Sequence, residues 1–160
     1  MRRFILCLVA FILFPFWAKG EELPLPRFVS LRYNTVNMRT GPGERFPIAW
    51  VFHKKGLPLE VIDEFEYWRK VRQSDGTTGW IHKKQLTNNR TAFCNKEQMN
   101  IYKRPEQDSN IIAILKGKVL MKVVECEANN DFCKVNINEL YGHALKDDLY
   151  GIYKNEEIDS

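Results

Sequence analysis

Val36-Asn37-Met38-Arg39-Thr40-Gly41-Pro42-Gly43 is the stretch from which the fold can be read. Side chains alternate along a strand, so Val36, Met38 and Thr40 share one face, and Asn37 and Arg39 the other. The strand runs into a glycine-proline-glycine turn, where the fixed φ of Pro42 is flanked by two residues of high backbone freedom. A polar-faced strand ending in a sharp turn opens a small β-barrel.

The segments after it continue in the same style. Leu57-Pro58-Leu59-Glu60-Val61-Ile62-Asp63 alternates, with Leu57, Leu59 and Val61 on one side. Phe46 to Phe52 reads as an apolar segment entered through Pro47, and Trp68 to Arg72 as a further strand. Asp75-Gly76 between two β-prone runs is a hairpin signal. No window carries a helical period, and short strands separated by frequent turns predict an all-β barrel or sandwich.

The pattern then recurs. Gly79 and Gly142 stand 63 residues apart, as do Leu86 and Leu149, and Val36-Asn37-Met38 matches Met99-Asn100-Ile101 at the same offset. Gly56 and Gly117 are 61 apart, each before an alternating apolar run, and Tyr67 to Val71 lines up with Phe132 to Val135. These matches predict two copies of one barrel. The second is degenerate: Tyr102-Lys103-Arg104-Pro105-Glu106 replaces the glycine turn, and Gly142-His143 replaces Gly79-Trp80. The expected organisation is a leader over 1–20, a first barrel over 28–88, a second over 92–153 and an acidic tail over 154–160.

The leader has the layout of a secretory signal peptide. Arg2 and Arg3 precede the uncharged run Phe4 to Trp17, and Ala18 and Gly20 supply small residues for cleavage after Gly20. That run has 14 residues and contains Pro15, whereas a membrane span needs roughly 20. Retention as an N-terminal anchor is the alternative. Without residues 1–20 the net charge falls from +4 to +1, which argues against a nucleic-acid protein of the basic kind. The charge is divided unevenly: residues 27–91 carry 12 Lys/Arg against 6 acids, residues 92–160 carry 9 against 12. Two domains of this size are marginal alone, so mutual packing or a covalent staple is expected.

The motifs of the first copy resemble the bacterial SH3-like domain family. The residues are Val36-Asn37-Met38-Arg39-Thr40-Gly41-Pro42-Gly43, then Gly56, Trp68 with Val71, Asp75-Gly76, and Gly79-Trp80-Ile81. The second copy, with Cys126, Cys133 and Leu149-Tyr150-Gly151-Ile152-Tyr153, looks like the second domain of exported tandem members. The resemblance implies two tandem SH3-like barrels. It also implies binding to peptidoglycan peptides or envelope proteins, and brings no catalytic site.

Several constellations bear on chemistry. Gly41-Pro42-Gly43-Glu44-Arg45-Phe46 lacks the third glycine and the following helix of a dinucleotide loop. Cys126 and Cys133 flank Asn129-Asn130-Asp131, a turn-forming run, and in an exported chain this pair suggests a disulfide. Cys94 is then buried and free, paired between molecules, or an alternative partner; three reduced thiols are the other option. His53, His82 and His143 sit in lysine-rich or strand contexts, with no helix to lower a thiol pKa. The scattered His, Cys and Asp lack metal-ligand spacing, so no metal or cofactor is expected. Lys54-Lys55 and Lys83-Lys84 read as solvated turns.

The aromatics Tyr33, Trp50, Tyr67, Trp68 and Trp80 are numerous, and small barrels use such rings as platforms for extended peptides. Trp68 and Val71, three apart, cannot both face inward on a regular strand. The expected ligand-binding set is Asn37, Arg39, Tyr67, Trp68 and Trp80, with Arg39 able to hold a carboxylate bidentately. The expectation is a non-enzymatic, exported, periplasmic envelope-binding module. The alternative is an interaction protein that self-associates through its basic first and acidic second barrels.

Overall fold

The structure, a computed structural model, describes residues 23–159; the expected signal peptide lies outside these residues. Within them the chain is all-β. The first sheet uses β1 (Arg27–Leu31), β2 (Val36–Arg39), β3 (Ile48–Phe52), β4 (Pro58–Phe65), β5 (Trp68–Arg72), β6 (Thr78–His82) and β7 (Leu86–Thr87). The second uses β8 (Thr91–Cys94), β9 (Gln98–Tyr102), β10 (Ile111–Lys116), β11 (Leu120–Cys126), β12 (Phe132–Ile137), β13 (Leu140–Leu145) and β14 (Leu149–Tyr150). Strand order is β3-β2-β6-β5-β4-β1-β7 in one and β10-β9-β13-β12-β11-β8-β14 in the other. Each position in one sheet therefore has its counterpart in the other, and the two tandem barrels share one topology.

The correspondence extends to irregularities. Register shifts between Val61 and Asp63 in β4, and between Val123 and Glu125 in β11. It also shifts where β2 meets β3 and where β9 meets β10. Bulges bend a strand and re-aim its side chains, so both sheets curl at the same places. Gly56 (φ 82°) and Gly117 (φ 69°) take matching left-handed turns. A Cβ on Gly79 would lie 2.5 Å from Met38 Cγ, and one on Gly142 would lie 2.4 Å from Ile101 Cγ2. The two glycines let β6 and β13 press onto the same core methionine/isoleucine position.

Each barrel has its own core. Val29, Leu31, Val36, Met38, Leu59, Val61, Val71 and Ile81 fill the first, and Met99, Ile101, Met121, Val123, Val135 and Ala144 the second. Leu59 and Val61 are inward as the alternation predicts. The segment 46–52 differs from the apolar reading. It forms edge strand β3, which buries Phe52 and leaves Ile48 and Trp50 exposed.

Cys126 and Cys133 face each other across β11 and β12 and are disulfide-bonded. Cys94 is buried and free, its thiol donating to the Lys96 carbonyl at 3.0 Å. The first barrel has an ion pair at the equivalent register: Glu64 opposes Arg69, whose Nε lies 2.9 Å from Glu64 Oε1.

The barrels are joined by direct contacts. Phe28 of β1 packs on Tyr150 and Tyr153, with ring centroids 5.3 and 4.7 Å apart. The Tyr153 hydroxyl donates to Glu60 Oε1 at 2.8 Å, the Tyr150 hydroxyl to the Arg72 carbonyl at 3.1 Å, and Thr91 Oγ1 to the Gly56 carbonyl at 2.6 Å. Glu60 is buried, and Arg72 Nη2 lies 2.7 Å from its other oxygen. No described helix is long and apolar enough to cross a membrane.

Candidate functional site

The outward face of the first barrel is built by cross-strand register. Arg39 opposes Trp80, Trp80 opposes Lys70, and Trp68 opposes His82. Residues directly opposite in adjacent strands share a face, so Asn37, Arg39, Trp68 and Trp80 all point outward. Val71 is buried, and Trp68 is half-buried.

Of the expected set, Asn37, Arg39 and Trp68 line one cleft of about 320 Å³, together with Glu44, His82, Lys84 and Gln85. A volume of this order is at the lower end of small-ligand sites. Tyr67 stands outside the lining; its exposed ring stacks on His82 at 6.1 Å. Trp80 shares the face but does not line the cleft.

Two details correct the sequence expectation. Arg39 is partly engaged, since its Nη1 donates to the Phe46 carbonyl at 2.8 Å. That bond ties it to the turn, and Arg39 also lines the cleft. The glycines of the turn also act differently. Positive φ among the described glycines belongs to Gly56, Gly76, Gly117 and Gly151, so neither Gly41 nor Gly43 supplies a left-handed residue. Gly41 is needed for close approach: a Cβ there would come within 2.4 Å of the Phe46 ring.

Glu44, His82, Lys84 and Gln85 are cleft residues outside the expected ligand set: the sequence offers His82 only as a base and reads Lys84 as part of a solvated turn. His82 Nδ1 accepts from the Lys84 backbone N–H at 3.2 Å, which leaves Nε2–H as the ring's donor. The His82 ring meets Trp68 edge-on at 5.4 Å. The cleft thus combines an indole wall, two amides, two cations, a carboxylate and an imidazole. It suits a polar, extended ligand with an apolar contact.

The second barrel provides an internal comparison. Tyr102 opposes His143 and His143 opposes Lys134, the counterparts of Arg39, Trp80 and Lys70. There Tyr102 packs edge-on against Phe132 at 5.6 Å, and the two rings are 9% and 8% exposed. The chain's own aromatics fill the space. A separate cleft of about 80 Å³ lies beside His143 and Phe132 and takes in neither Asn100 nor Tyr102.

The family model of the bacterial SH3 domain matches residues 32–88 and 95–145, more than half of the chain. The chain belongs to the bacterial SH3 domain family. The two matched units of this bacterial SH3 protein are the two barrels just described. No curated protein matches the chain. Among solved structures, NlpC2 and NlpC1 from Trichomonas vaginalis are similar at 17% and 18% identity, each with a TM-score of 0.37. The alignments cover 87% and 88% of this bacterial SH3 chain and 52% and 50% of those chains. An NLPC/P60 family protein from Bacillus cereus aligns at 14% identity and a TM-score of 0.35, over 77% of this chain and 55% of that one. The chain spans about half the length of these structures.

Proposed function

We propose that the protein is a non-catalytic, cell-wall-associated binding module of an exported envelope protein. Its first barrel takes an extended peptide, from peptidoglycan or from an envelope protein, in the cleft between Asn37, Arg39 and Trp68. One observation carries this reading. At a position where the second barrel is closed by Tyr102 against Phe132, the first keeps an open cleft of about 320 Å³. The indole of Trp68 would stack on the ligand, and the free donors of Arg39, Lys84 and His82 would pair with its carbonyls and carboxylates.

The test is a pull-down with purified cell wall, using mature protein. Binding should fall at least about tenfold in Trp68→Ala and in Arg39→Ala, and persist in Lys54→Ala on the exposed turn. If both cleft variants bind like the parent, the cleft is not the site.

A further inference from the structure

A second cleft in the first barrel, about 240 Å³ in volume, shares no lining residue with the Trp68 cleft. Arg27, Arg32, Arg69 and Lys83 line it beside Leu23 and the core residues Val61 and Leu86, and no lining residue among the described ones is acidic. Among the described residues, the carboxylate that reaches this cluster is Glu64, shared by Arg27 and Arg69. Arg27 Nε and Nη1 are buried without an acceptor among the described residues. Arg32 is pinned by its Nε to the Leu86 carbonyl at 3.1 Å, and Lys83 Nζ lies over the Tyr67 ring at 4.8 Å. Among the described residues, four cations facing one carboxylate form a region of unbalanced positive charge.

The equivalent place in the second barrel is occupied. Leu31 pairs with Leu86 as Cys94 pairs with Leu149, so Arg27 corresponds to Arg90. Lys83 and Lys146 each open the short 3₁₀ turn before the last strand. Glu156 forms an ion pair with Arg90, and Lys146 is buried with its Nζ donating to the carbonyls of Glu127, Lys154 and Glu156. Ile158 completes the arrangement with two backbone hydrogen bonds to Cys126, of 2.8 and 2.9 Å. The chain's own acidic segment 153–158 therefore lies on the Arg90–Lys146 site. Among the described residues, the Arg27–Lys83 site has Leu23 in its lining but no acidic segment lying on it.

We infer that this basic cleft is a docking site for an extended acidic segment of a partner protein, chemically like segment 153–158. A glutamate would pair with the Arg27, Arg32 and Lys83 cations, as Glu156 does with Arg90. The site is distinct from the one proposed for the cell wall.

The probe is the synthetic peptide Tyr153-Lys154-Asn155-Glu156-Glu157-Ile158-Asp159, titrated into the mature protein and followed by amide chemical shifts. Saturable shifts at Val29, Leu86 and Thr87 are expected, weakened at least about tenfold by Arg32→Ala with Lys83→Ala and unchanged by Trp68→Ala. A peptide with both glutamates replaced by alanine should not bind. Three results overturn the proposal: no saturable shift, shifts confined to the second barrel, or binding indifferent to the two cation replacements while the melting temperature is unchanged. Concentration-dependent dimerisation abolished by the same replacements would instead make the occupant a second copy and overturn the assignment to a partner protein.

Discussion

The Tyr153 hydroxyl reaches across the junction between the barrels and donates to Glu60 Oε1 at 2.8 Å. Glu60 is buried and its other oxygen is held by Arg72, so this carboxylate is shared by two domains. Tyr153→Phe removes one of its donors and keeps the ring against Phe28. The substitution should destabilise the protein by about 1.5–3 kcal/mol, the range for hydrogen bonds to charged groups. Urea denaturation at neutral pH measures it.

The same junction makes the fold sensitive to alkali. Burial, and then the Glu60 charge, push the Tyr150 hydroxyl up to about 12, and burial and the Glu60 hydrogen bond raise Tyr153 further. In the unfolded chain both hydroxyls ionise near their ordinary value of 10. Their contribution is therefore complete below pH 10 and is lost as pH rises from 10 through the folded value. Stability measured against pH should fall across that window, and less steeply in the Tyr150→Phe, Tyr153→Phe double variant.

Reducing the Cys126–Cys133 disulfide, or replacing both cysteines by serine, releases a short loop, the two residues being 7 apart in sequence. Loop-closure entropy for that length predicts a loss of about 2–3 kcal/mol. Denaturation of the second barrel with and without reductant gives the value, and an unchanged midpoint would refute it.

Gly79 and Gly142 are predicted to be intolerant of alanine for one shared reason. A Cβ on Gly79 meets Met38 Cγ at 2.5 Å and the Arg39 carbonyl oxygen at 3.0 Å, and one on Gly142 meets Ile101 and the Tyr102 carbonyl oxygen similarly. Each replacement should reduce stability by about 1–3 kcal/mol, as overpacked cores do. Thermal melts of both variants provide the check.

Trp68→Ala and Phe132→Ala remove equivalent aromatic residues with opposite consequences. Phe132 is buried against Tyr102, and its loss should lower stability by about 3–5 kcal/mol. Trp68 is half-buried on an open cleft, and its loss should mainly abolish cell-wall binding. Melting temperature and pull-down, measured on both proteins, separate the two effects.

The alternation in Val36–Arg39 and Leu57–Val61, the glycine pairs and the repeat offsets were enough to derive two barrels of one topology. Those signals are local: period-two burial, a left-handed turn or a Cβ-free contact leaves its mark on neighbouring residues. The pairing of Cys126 with Cys133 was legible for the same reason, because both flank one hairpin. The candidate cleft was legible in part. Asn37, Arg39 and Trp68 could be chosen because strand alternation placed them outward, opposite a buried set. His82, Lys84 and Gln85 were not in that set, since they join the cleft from a strand end distant in sequence, and Glu44 was not, since it lies in the turn beyond the strand alternation.

By itself, the sequence determined the number of barrels and which face of β2 is wet, because these follow from short-range pattern, whereas strand order and the exposure of edge strand β3 came from the tertiary structure. Tertiary structure decided what fills each surface. Arg39 spends a donor on Phe46, Tyr102 closes the cleft of the second barrel, and segment 153–158 covers Arg90 and Lys146 but leaves Arg27 and Lys83 open. Those outcomes depend on side chains far apart in the chain meeting across strands, and no local period records such meetings.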